Sequence, residues 1–149
     1  MCLYIDKEKT EKFLEENKDK EFVYCYKVVR VNTLYGTCSN IPLVESPYFN
    51  YAWKPGKHES ESMIKYFDVN ISPANVVTKS FHFLTTEEDA VKYKKLEFSN
   101  PVNYKIVKFK CFIDSFVAAG CTTQLNNLTS LTFRKVELSQ EEYDKCFIT

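Results

Sequence analysis

The chain has little of what most catalytic and metal sites are built from. It holds three glycines and two histidines in 149 residues, and two arginines, Arg30 and Arg134, against eighteen lysines. With only Gly36, Gly56 and Gly120 available, a glycine-lined phosphate cradle is not expected, and the patterns GxxxxGK, GxGxxG and HExxH are absent. GxSxG and the PCxxC of zinc deaminases are missing too. The six cysteines, Cys2, Cys25, Cys38, Cys111, Cys121 and Cys146, form no CxxC; the expected state is reduced and structural, with a thiol packing as a small hydrophobe. No metal and no cofactor is expected. Charge of one sign is lacking as well, since twenty basic and twenty acidic side chains cancel. Arginine scarcity argues against bidentate clamping of phosphates or base edges, so no extended nucleic-acid surface is expected. No apolar run approaches the roughly 18 residues of a membrane span, and the N-terminus, MCLYIDKEKTEKF, carries no secretion pattern. The expectation is a soluble cytoplasmic protein with no membrane partner.

What is present is apolar area: ten Tyr, twelve Phe and one Trp in a chain that is 44% hydrophobic. That excludes a disordered acidic segment and supports one globular domain over residues 1–149. Asp6 can cap a helix at 7 to 18 whose thin apolar stripe, Phe13 and Leu14, suits the edge of the domain. Residues 21 to 31, EFVYCYKVVRV, read as a strand with Phe22, Tyr24, Tyr26 and Val28 on one side and Val23, Cys25 and Val29 on the other. Two largely apolar faces imply a central strand, covered by a helix or curled into a small barrel.

Between Asn32 and Pro73 periodicity is weak and prolines are dense. Short strands are expected near 48 to 53 and 62 to 69, with Pro55-Gly56 as a turn open to type II geometry. Further strands are expected at 75 to 84, 103 to 113, 115 to 119 and 131 to 138, with a polar connection over 121 to 130. Thr85 with Glu88, and Thr86 with Asp89, fit a capping box opening a helix to about 97, with Ala90, Tyr93 and Leu96 facing one way. Ser139 with Glu142 opens a short terminal helix at 140 to 146. Helices separated by runs of strands, without a regular repeat, predict an α+β domain with a strongly bent, mainly antiparallel sheet covered by one or two helices.

The most distinctive stretch runs from Ser46 to Lys57, SPYFNYAWKPGK. Rigid aromatics between prolines, with lysines alongside, can stack on a base or anchor a protein interface. They can equally plug the open end of a curved sheet. His58, in the polar KPGKHESES, reads first as a solvated loop histidine and second as a ligand contact beside Trp53 and Lys57. His82, between Phe81 and Phe83 at a strand end, reads first as a core-edge residue and second as a catalytic base. No triad and no catalytic residue is assigned.

The landmarks Tyr26-Lys27-Val28-Val29, Tyr51 to Lys57, Phe81-His82-Phe83, Thr86 to Ala90 and Arg134 to Leu138 resemble, in order, those of a loose class of small phage and bacterial domains. In these an aromatic run ends in P-G-K, and an F-H-x-F strand end precedes a T-x-E-x-A helix. The resemblance implies a phage or viral accessory protein engaged with host defence, and some proteins with similar landmarks sequester signalling nucleotides. The trio Arg30, Ser80 and Glu137 follows the order used by ADP-ribosyltransferases, an order that any β-rich chain of this size offers by chance. The leading expectation is therefore a non-enzymatic binding protein for a nucleotide-like ligand or a host protein, using Tyr51, Trp53, Lys57, His58 and His82. The second is a small transferase or hydrolase acting on a nucleotide-like substrate through His82. Zero net charge leaves homo-oligomer formation open.

Overall fold

The computed structural model describes residues 3–32, 43–46, 51–60, 76–77, 80–98, 103–122 and 128–148. The elements in chain order are β1 (Leu3–Ile5), α1 (Lys7–Asn17), β2 (Phe22–Asn32), β3 (Leu43–Glu45), β4 (Ala52–Trp53), β5 (Gly56–Glu59), β6 (Val76–Val77), β7 (Phe81–Leu84), α2 (Glu87–Glu97), β8 (Tyr104–Phe112), β9 (Phe116–Thr122), β10 (Thr129–Phe133), β11 (Lys135–Leu138) and α3 (Gln140–Lys145). The expected strand near 62 to 69, and Tyr48, lie outside the described residues.

Among the described residues every strand pairing is antiparallel, in the order β5-β11-β8-β2-β7-β10-β9-β1-β6, with β3 and β4 branching from β2. The domain is thus α+β, and its sheet is curled without closing into a barrel. The bend has an identifiable origin. One long strand was expected at 131 to 138, but the chain breaks at Arg134 into β10 and β11, and β8 breaks from β9 at a 3-10 turn, Ile113–Ser115. Ser115 joins the two breaks: its carbonyl accepts from Arg134 N–H at 3.0 Å, and its hydroxyl oxygen from Lys135 N–H at 3.0 Å. Beyond the break, β10 pairs with β7 and β9 while β11 pairs with β8 and β5.

The curled interior holds Cys25, Phe83, Phe109, Phe116, Phe133 and Val136. Phe13 of α1 enters it against Phe116, with ring centroids 4.4 Å apart. Burying each such ring contributes on the order of 1.5–3 kcal/mol. α2 covers part of the outer face, where Ala90 and Tyr93 pack on Val28, Leu84 and Leu128. Leu96 does not join them and is 68% exposed; at about 100° per residue it lies roughly 240° around the helix from Ala90. The helix caps follow their sequence signals, with Asp6, Thr86 and Ser139 each accepting from the backbone N–H three residues on.

β2 is central, as its two apolar faces imply. It pairs along its length with β8, while its other edge is divided between β7 at Tyr26 and β3 from Arg30 onward. The sheet therefore forks beside residues 27 to 29. At the mouth of the fork a cross-strand ion pair, Arg30 to Glu45 at 2.7 Å, secures the β3 arm.

Cys25, Cys111, Cys121 and Cys146 are free thiols. Burial pushes the Cys111 thiol well above its ordinary value and Cys146 up to about 11, so neither is prepared to act as a nucleophile.

Candidate functional site

The β3-β4 arm folds over the inner face and delivers Trp53 into it. Trp53 is 1% exposed, stands 4.7 Å from Phe109 and 5.0 Å from Phe81, and donates its indole N–H to Ser46 Oγ at 2.9 Å. It plugs the curled sheet, one of the two roles its sequence context offered. The Pro55-Gly56 turn, with Gly56 at φ +116°, then carries the chain to β5 on the far edge. That φ suits glycine.

Tyr51 stands at the rim of this plug. It is 36% exposed, with its ring 4.8 Å from Trp53 and 5.2 Å from Phe81. Its hydroxyl meets His58 Nδ1 at 2.9 Å, and His58 Nε2 meets the Lys54 carbonyl at 2.6 Å. A carbonyl only accepts, so Nε2 carries the proton, Nδ1 is the acceptor of the neutral ring, and Tyr51 donates. Partial burial raises the Tyr51 pKa, which keeps the phenol a donor. The result is a preorganised corner: one accessible ring, two rings behind it, and a histidine fixing its tip.

Lys57 and His82 are not part of that corner. On β5, Lys57 alternates with His58 and so points to the opposite side of the sheet, where its ammonium lies 5.9 Å from the centroid of Phe112. On β7, Phe81 and Phe83 face the interior cluster, and alternation turns His82 away from them. His82 is 4% exposed, and neither ring nitrogen has a hydrogen-bond partner among the described residues. Burial, with the Lys27 ammonium as a second cause, holds its pKa down to about 3. A sealed imidazole that rejects a proton at neutral pH is poor equipment for general base catalysis.

Sequence reasoning missed Lys27. It lies on the inner side of β2, half-buried, and donates to the His82 carbonyl at 2.8 Å across the fork. Its ammonium also sits 5.4 Å from the Phe83 centroid, and desolvation lowers its pKa to about 8. A lysine in the middle of FVYCYKVVRV was the available signal.

The Arg30, Ser80, Glu137 trio does not assemble. Arg30 pairs opposite Tyr104 and Glu137 opposite Lys110, positions six residues apart on β8, or about 20 Å. Among the described residues no three His, Cys, Asp or Glu side chains gather to hold a metal ion, and no helix is long and apolar enough to cross a membrane. No family model, no curated protein and no solved structure matches the chain.

Proposed function

We propose that this protein is a non-enzymatic binding module, and that the Tyr51 corner receives the flat ring of a nucleotide-like ligand. The observation that carries the reading is the state of Tyr51: accessible on one side, packed on Trp53 and Phe81 on the other, and held at its tip by His58. A ring already immobilised loses little entropy when a ligand stacks on it, which favours affinity. The resemblance of its landmarks to those of small phage domains, some of which look like binders that sequester nucleotides, points in the same direction. His82, enclosed and unprotonated, gives the competing catalytic reading little support.

Titration of mono-, di- and cyclic nucleotides by calorimetry and thermal shift tests this. At about 100 times Kd a ligand adds about 2.7 kcal/mol to stability, and it should be recovered unchanged by mass analysis. Tyr51→Ala should abolish the shift while leaving the fold intact. The reading fails if no nucleotide shifts the wild type, if Tyr51→Ala binds normally, or if the ligand is turned over.

A further inference from the structure

The outer face of β2 and β8 differs from every other surface described. In the β2-β8 register Phe22 is opposite Phe112, Tyr24 opposite Lys110, and Tyr26 opposite Lys108. α2 covers this face only around Val28, leaving Tyr24 52% exposed. The lysines lean diagonally onto the rings: Lys108 lies 4.8 Å from the Tyr24 centroid, and Lys110 lies 4.1 Å from Phe22 and 5.8 Å from Phe112. Lys57 reaches Phe112 from the β5 side, and Lys135 on β11 points outward because its neighbour Val136 is interior.

Two acids, Glu59 and Glu137, share the face, both on the β5-β11 side. On β2 and β8 the same face carries none between Phe22 and Tyr26 or between Lys108 and Phe112. Glu137 is paired opposite Lys110, yet no ion pair joins them, nor does any carboxylate within 4.0 Å engage Lys57, Lys108, Lys110 or Lys135 among the described residues. Four cations thus face two carboxylates, with Glu137 opposite both Lys57 and Lys110 and Glu59 opposite Lys135, and they flank a row of three rings in which Tyr24 is exposed and Phe22 and Phe112 are half-buried.

We propose that this outer face binds single-stranded nucleic acid, with Phe22, Tyr24 and Phe112 stacking on bases and the lysines taking phosphates. The combination selects the occupant. An acidic peptide satisfies the lysines but leaves the rings unused. A duplex offers phosphates but keeps its bases stacked internally. A single strand offers charge and ring faces together. Lysine supplies point charges without the fork that reads base edges, so the binding is tolerant of sequence. The neutral total charge conceals this face, because folding sorts lysines and acids onto different surfaces.

Fluorescence anisotropy with labelled oligothymidylate and oligouridylate provides the test. Four phosphate contacts predict a slope of log K against log salt near −2.8, at about −0.7 per contact on a single strand. The pair Lys108→Ala with Lys110→Ala should reduce that slope by about 1.4. Tyr24→Ala should weaken binding at least about fivefold at constant slope. The proposal is overturned if the single strand does not bind at low salt, if a duplex or polyglutamate binds as tightly, or if either variant behaves as wild type. It is also overturned, with the Tyr51 corner left standing, if Tyr51→Ala abolishes strand binding and Tyr24→Ala does not. Equal thermal midpoints of wild type and Tyr24→Ala show that a loss is not unfolding.

Discussion

The two faces of the β2-β8 pair carry the same kinds of residue and use them in opposite ways. Inside, Cys25, Val29, Phe109 and Cys111 are enclosed with Trp53 set against them, and a cation among them, Lys27, is desolvated and directed at a backbone carbonyl. Outside, lysines stand among the aromatic rings and place their ammonium groups over the ring faces. A lysine beside an aromatic is therefore no signal by itself. What the fold puts above the pair decides whether it is core or surface.

The sharpest way to break this comparison is to truncate one ring on each face, and the inner one comes first. Phe109 is fully buried between Trp53 and Phe83, so Phe109→Ala should cost about 3–5 kcal/mol in urea unfolding. A loss under 1 kcal/mol would mean that the interior does not pack as described.

The buried titratable groups sharpen it further. His82 has a folded pKa near 3 against an ordinary 6.5, so the unfolded chain takes a proton that the folded chain refuses between those values. Stability then falls as pH is lowered through that window, at up to about 1.4 kcal/mol per unit. From pH 6.5 to 4 the wild type should lose about 3 kcal/mol more than His82→Leu, other carboxylate effects being common to both. Parallel curves would exclude a sealed imidazole. For Lys27, lowered from 10.5 to about 8, the unfolded chain again holds the proton longer. Stability should rise between pH 8 and 10 by about 2 kcal/mol relative to Lys27→Met.

Much of this architecture is legible in the residues themselves. The Asp6 cap marks α1, capping boxes mark α2 and α3, and alternation marks β2 and β8, because those signals are local. The break at Arg134 is not local: a bend that depends on Ser115, almost twenty positions earlier, leaves no mark in LTFRKVEL. β5 was invisible for a related reason, since GKHE is a strand only by pairing with β11. The candidate corner was half legible. Tyr51, Trp53 and His58 do converge, because a tight turn joins the strands that carry them. Lys57 and His82 separate because alternation, which a loop reading of 54 to 60 ignores, places them on other faces. The lysine-aromatic face was present as two independent alternations, and only the register between β2 and β8 turns them into one surface.

Ser46 tests the smaller interactions of the inner face. Its hydroxyl is the acceptor for the buried Trp53 indole N–H, so Ser46→Ala should cost about 1–3 kcal/mol by leaving that donor unpaired.

The least destabilising change is the most informative for the outer face. Tyr24 is half in water and its ring is approached by a lysine from above, so Tyr24→Ala should change stability by no more than about 0.5 kcal/mol. A core ring cannot be removed so cheaply, and a ring retained only to shield its neighbours would reveal itself by a larger loss. If stability holds while affinity for a single strand drops, then the residue contributes to what the protein binds and not to how it folds. If stability collapses instead, Tyr24 belongs to the interior, and the contrast between the two faces of β2 disappears with it.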